Sequence, residues 1–334
     1  MFRIKRIILP LCVLCVSSLN VQAAAYSEWC TGISFRETPF ADISCAKQVS
    51  QSDAKNIKHF QFDYDDDGRL VRLRYQLHGK TVAFTDRFVR APHIEISYKD
   101  NQEIRQFYDH HGARTLVSGD VYEAIFELDE RNRRRELSFY NVSGDIINND
   151  FGIARYTWGV ESNGDVVEHR YDTAGKIVRN RPGFGYLVTR FSFDAQGLLT
   201  RMYNLGIEGK RLTADDAGVA MTQIEYNQQR QFTRWLNLDI EEKPIKGLSA
   251  IADIRYAPSA YAVENVARFI DENGNPQTTR WGAHKVIYEF DQYGNPTMRQ
   301  FFGRDDKPTE STSGIHQIKM TWSDDGRMQT SELY

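Results

Sequence analysis

The chain has 334 residues, 41% of them apolar, with 42 Lys plus Arg against 45 Asp plus Glu, and 4 Cys. This composition excludes a disordered tail, a collagen-like chain and a polytopic membrane protein. A formal net charge of −3 also argues against a nucleic-acid partner.

Residues 1–23 read as a Sec-type signal peptide. Arg3, Lys5 and Arg6 precede an apolar run from Ile7 to Leu19, and Val21-Gln22-Ala23 supplies the small-residue pattern for cleavage near Ala23 or Ala24. The run is shorter than the roughly 20 residues a membrane-spanning helix needs, so the expectation is a periplasmic or secreted protein, not an integral membrane protein. Loss of the signal leaves 39 basic and 45 acidic side chains and only two cysteines, Cys30 and Cys45. In an oxidising compartment these two are expected to pair. Residues 24–58 then form an N-terminal cap pinned by that disulfide, with a short helix in the stretch 46–56.

From residue 59 to 334 one pattern recurs nine times: apolar-x-apolar, then Asp or another polar residue, two more residues, and often Gly. The copies are FDYDDDG ending at Gly68, ISYKDNQ at Gln102, FELDERN at Asn132, WGVESNG at Gly164, FSFDAQG at Gly197, IEYNQQR at Arg230, IRYAPSA at Ala260, YEFDQYG at Gly294 and MTWSDDG at Gly326. Their spacing of 30–34 residues marks a repeat architecture. Within a unit the apolar period is two, so each unit predicts a half-buried strand, a turn made by the Asp side chain and Gly, and a second strand. One hairpin cannot bury its apolar face alone. The predicted fold is therefore all-β, with about nine hairpins of some 32 residues stacked edge to edge into a long, twisted or curled antiparallel sheet. A closed propeller fits less well, because its blades need four strands and roughly 40–50 residues.

The stretches FSFDAQGLL, YEFDQYGNP, TWSDDGRM and RYDTAGKIV resemble the YD repeats of bacterial Rhs-type proteins, and the hairpin-per-repeat logic is similar to that of MORN-like repeats. The resemblance covers about residues 60–334, although the unit here is longer than the usual YD unit. It implies a spiralling β-sheet in a bacterial envelope or secreted protein, and it carries no catalytic residues.

An arginine recurs in the second strand of most units: Arg72, Arg74, Arg105, Arg135, Arg170, Arg201, Arg234, Arg268 and Arg299. Stacked in register, these would form a column on one face of the sheet. Such a column could meet an anionic partner, or it could pair with first-strand carboxylates such as Glu95, Glu127, Glu225 and Glu289. The recurring Tyr and Phe read as core, whereas Trp235 and Trp281 are the aromatic candidates for ligand contact.

Asp63, Asp65, Asp67 and Gly68 open like a calcium loop, but Arg74 stands where the closing acid belongs, so the stretch reads as a hairpin turn. The histidines are scattered, and no nucleophile elbow, P-loop, dinucleotide fingerprint or zinc spacing occurs. No cofactor, metal or catalytic set is expected. The functional expectation is an exported, non-enzymatic repeat protein that binds another protein or an envelope glycan through its sheet face or edges. A periplasmic immunity or antagonist role is its sharper form. An envelope polysaccharide-acting enzyme and a self-associating structural module stay open as alternatives.

Overall fold

The computed structural model describes residues 24–83, 89–181, 184–324 and 326–334; the signal-peptide segment lies outside the described residues. Among the described residues the fold is all-β, a single antiparallel sheet of 21 strands with one four-residue helix. β1 (Tyr26–Cys30) pairs with β2 (Gln48–Val49) on one side and with β3 (His59–Tyr64) on the other. Between them lies α1 (Gln51–Ala54), whose first turn is capped by the Ser50 hydroxyl accepting from the Asp53 amide.

Nine hairpins follow. β3 and β4 (Leu70–Leu77) make unit 1, extended by the short β5 (Lys80–Thr81). Units 2 to 4 are β6 (His93–Lys99) with β7 (Gln102–Tyr108), β8 (Glu123–Leu128) with β9 (Arg134–Tyr140), and β10 (Arg155–Val160) with β11 (Val166–Tyr171). Units 5 to 7 are β12 (Val188–Phe193) with β13 (Leu199–Leu205), β14 (Met221–Tyr226) with β15 (Phe232–Leu238), and β16 (Asp253–Pro258) with β17 (Glu264–Ile270). Units 8 and 9 are β18 (Lys285–Phe290) with β19 (Pro296–Phe302), and β20 (Gln317–Trp322) with β21 (Met328–Leu333). The second strand of each unit also pairs with the first strand of the next, so the ladder runs unbroken from β2 to β21.

The turns explain the Asp-x-x-Gly signature. In unit 3, Oδ1 of Asp129 accepts from the amides of Arg131 and Arg133, both at 2.9 Å, while the Asp129 amide donates to the Arg133 carbonyl at 2.8 Å. The same arrangement recurs at Asp65, Asn141, Asp172, Asp194, Asn227, Asp239, Asp271 and Asp291. The Asp63–Gly68 stretch is therefore an ordinary member of the turn series. The fourth residue of such a turn takes a positive φ, which suits Gly and strains a residue with a Cβ. Gly164 occupies that position at φ 91°, whereas Ala250 occupies it at φ 63°.

The ladder curls, and the N-terminal segment fills the curl. The turns of units 7 to 9 come round to meet that segment. Lys47 Nζ donates to the Ala260 carbonyl at 2.6 Å, the Lys58 amide to Tyr293 at 2.7 Å, and Lys58 Nζ to Gly326 at 3.1 Å. The Lys58 ammonium also lies 4.1 Å from the Trp322 ring centre. Burial lowers its pKa to about 8, against the opposing pull of Asp291. Between β1 and β2 the chain makes a loop closed by the Cys30–Cys45 disulfide. Its tip enters the interior, where Phe35 stacks on Phe232 at 4.2 Å and Phe40 packs 5.7 Å from Trp158. The segment 24–58 thus both flanks the first unit and lines the inside of the array. Among the described residues, no helix is long and apolar enough to cross a membrane.

The turn geometry gives a two-way test. Ala250→Gly should stabilise the protein and Gly164→Ala should destabilise it, each by about 1 kcal/mol, read as opposite shifts in melting temperature.

Candidate functional site

The two faces of the sheet differ in chemistry. The inner face carries Phe62, Leu73, Ile94, Phe126, Leu137, Val166, Phe191 and Met202, all buried. The outer face is polar and laced with ion pairs.

The recurring arginines do not form one column. Arg72, Arg74, Arg201, Arg234 and Arg268 face outward. Arg105, Arg170 and Arg299 share the face of the buried core, and Arg135 is the residue skipped by the β8–β9 bulge. The cause is register. Seven of the nine hairpins contain a one-residue bulge near the turn, but units 2 and 4 do not. A shift of one residue sends a side chain to the opposite face, and so Arg105 and Arg170 turn inward. Arg299 lies inward because it stands eight residues after its turn Asp291, whereas Arg72, Arg201 and Arg234 stand seven after theirs.

Most of the outward arginines have carboxylate partners. Arg72 pairs with Glu95 at 2.6 Å, Arg74 with Asp63 at 2.8 Å, and Arg201 with Glu242 at 3.3 Å. Arg234 bridges Asp253 and Glu225, both at 2.9 Å. Such pairs on a partly solvated face contribute little each, and they leave few uncommitted charges for a partner. Trp235 is interior, held by Asn237 Oδ1 and the rings of Phe35 and Phe184. Trp281 is 44% exposed, with Phe269 against its ring.

The inner face reads the N-terminal segment through buried polar contacts. Glu168 and Arg170 have no solvent exposure and pair at 2.5 Å. The other Glu168 oxygen accepts from Thr38 Oγ1 at 2.5 Å and from Trp158 Nε1 at 2.8 Å. Arg170 donates onward to Thr189 Oγ1 and to the carbonyls of Tyr186 and Leu187. A second network joins Glu103 to Arg105 and Arg134, and Arg134 Nη1 donates to the Phe40 carbonyl at 2.8 Å. Burial pushes the Glu103 pKa up, but the two guanidiniums outweigh it and hold the carboxyl below its ordinary value.

These polar residues were not among the sequence candidates, apart from Arg105 and Arg170. Their signal was present: Val166-x-Glu168-x-Arg170 and Glu103-x-Arg105-x-Phe107 put charges on the alternation that elsewhere carries apolar side chains.

Along the array the inner face changes from covered to open. Phe35, Thr38 and Phe40 contact units 3 to 6. On units 8 and 9, Tyr288, Phe290, Ile318, Met320 and Trp322 are only half-buried. Register places Leu333 and Met328 on the same face, and they are 60% and 54% exposed. The result is a partly exposed apolar surface next to one that already holds the Cys30–Cys45 loop. Among the described residues, no group of three or more His, Cys, Asp or Glu side chains could hold a metal ion.

No protein-family model and no curated protein matches the chain. Among solved structures it is similar to a chain of the Photorhabdus luminescens Tc holotoxin pore, at 11% identity and a TM-score of 0.24, over 84% of this chain and 19% of that one. A chain of the TcdB2-TccC3-Cdc42 crystal structure matches at 10% identity and a TM-score of 0.21, over 85% and 18%. A structure described as a eukaryotic initiation factor matches at 10% identity and a TM-score of 0.19, over 93% and 96%. The chain spans about a fifth of the toxin chains it matches. At these TM-scores the likeness bears on neither partner nor activity.

The Glu103 network yields a pH-dependent prediction. A carboxyl whose pKa is depressed on folding adds stability above its unfolded pKa, and that stability is lost as pH falls through the folded value. Glu103→Gln should cost about 3–5 kcal/mol at neutral pH, because Arg105 and Arg134 lose their buried counter-charge. It should also flatten the loss of stability below the ordinary glutamate range, measured by thermal melts from neutral pH downward.

Proposed function

We propose that the protein is an exported, non-enzymatic β-repeat protein that binds an extended segment of a partner protein on the inner face of units 8 and 9. The observation that carries this reading is that the same face, two to five units earlier, already holds a disulfide-closed loop of its own chain. There the aromatic stack of Phe35 on Phe232 and the Thr38–Glu168 hydrogen bond define the kind of guest the face accepts. Units 8 and 9 repeat the aromatic part of that surface, where the N-terminal segment contributes the Lys58 ammonium over Trp322 and leaves Met328 and Leu333 exposed.

The Sec-type signal read in residues 1–23 and the Cys30–Cys45 disulfide support an exported setting. The Tyr-Asp-x-x-Gly turns support kinship with YD-repeat proteins of the bacterial envelope. A periplasmic immunity or antagonist protein would be one such binder, its guest being a segment of the protein it neutralises.

The test is a pull-down of the tagged protein from the host's envelope fraction, with mass spectrometry of what survives moderate salt. Met320→Asp places a charge on the inner face, whereas Thr321→Asp places it on the exposed outer face of the same strand. A single stoichiometric protein should be recovered by the parent and by Thr321→Asp, and Met320→Asp should weaken its binding by at least about 2 kcal/mol. An empty eluate, or equal recovery by both variants, would sink the proposal.

A further inference from the structure

Close-packed interiors contain few voids larger than a water molecule. Beside the inserted loop, under units 2 to 4, lies a cavity of about 440 Å³. That size falls within the roughly 300–1,000 Å³ of small-molecule sites. Its walls are apolar, formed by Ile94, Val121, Ala124, Phe126, Leu137 and Tyr156, and it reaches the rim of the array at Val117 and Asn180. The apolar part of that lining suits a hydrocarbon guest, and the polar residues that share it suit a polar end.

Two further observations define the guest's polar end. Four guanidiniums line the cavity, and they are already engaged: Arg105 with Glu103, Arg90 with Asp150, Arg181 with Glu37, and Arg36 with the Ala41 carbonyl. At the rim, Asn180 is 5% exposed, yet its side-chain Nδ2 has no hydrogen-bond partner. A buried donor without an acceptor is uncommon and unfavourable. Its neighbour Arg181 contacts Glu37 twice at 3.3 Å and lies 5.1 Å from the Phe184 ring centre.

We infer that this cavity is a binding site for a long-chain aliphatic carboxylate. The hydrocarbon tail fills the apolar interior, and the carboxylate accepts from Asn180 Nδ2 and from Arg181 at the rim. This assignment concerns units 2 to 4 and is independent of the proposed partner surface on units 8 and 9.

The experiment uses the delipidated protein with its disulfide intact and follows displacement of a fluorescent dansyl-undecanoate probe. Palmitate should displace it far better than octanoate, since each buried methylene adds to affinity. Palmitate should also outcompete hexadecanol by roughly tenfold, the effect of one charge-assisted hydrogen bond. Asn180→Leu should weaken binding of palmitate, and Val117→Trp should block uptake of both, with melting curves and circular dichroism verifying that each variant is folded. Should Asn180→Leu not fold, the headgroup comparison and Val117→Trp still decide. Failure of palmitate to displace the probe, equal binding of the alcohol and the acid, or undiminished binding by folded Val117→Trp would each overturn the assignment.

Discussion

A single-layer sheet has two faces and must find something to cover the apolar one. In a stack of hairpins each unit shelters only the edges of its neighbours, so the inner face of the whole array would remain wet if the sheet lay flat. Here the sheet curls and residues from the Cys30–Cys45 loop enter the curl. Phe35 and Phe40 then contribute apolar surface to units that lie far from them in sequence. A disulfide closing a loop of this length removes roughly 3 kcal/mol of denatured-state entropy. The interior of the array therefore depends on a covalent constraint outside the repeat.

The polar networks in that interior have a different role from the apolar stacks. Burying Glu168 with Arg170 incurs a desolvation cost that their attraction only repays when the remaining donors and acceptors are satisfied. Thr38, Trp158, Thr189 and the carbonyls of Tyr186 and Leu187 do this for most of them. An apolar surface alone would accept the inserted loop in several registers. A buried carboxylate that requires the Thr38 hydroxyl, and an Arg134 that requires the Phe40 carbonyl, accept one. The inner face thus combines non-directional adhesion with directional reading of a peptide.

The sequence made local structure legible and left long-range placement hidden. Period-two strands, turns nucleated by Asp or Asn, and the pairing of Cys30 with Cys45 follow from chemistry within a few residues or from the small number of cysteines. The direction of each arginine does not. Arg170 and Arg201 occupy similar places in the repeat, yet a bulge present in unit 5 and absent from unit 4 sends them to opposite faces. Trp235 looked like a contact residue because nothing in its own unit reveals that Phe35 arrives from some 200 residues away. What covers the inner face is encoded outside the repeat, where periodicity carries no information.

This division of labour produces a gradient along the array. Units 3 to 6 are covered by both neighbours and loop, while unit 9 has a neighbour on one side in the ladder and its contact with Lys58 and Leu77 at the turn. In repeat proteins stability is approximately a sum of unit and interface terms, so the unit with fewest interfaces opens first. Every residue of β21 is exposed, and Met328 and Leu333 present apolar side chains that a guest would cover. Ordering the least stable unit and burying its apolar face would then be the same event. Binding free energy would be spent partly on closing the array, which links affinity for a guest to the stability of the last hairpin.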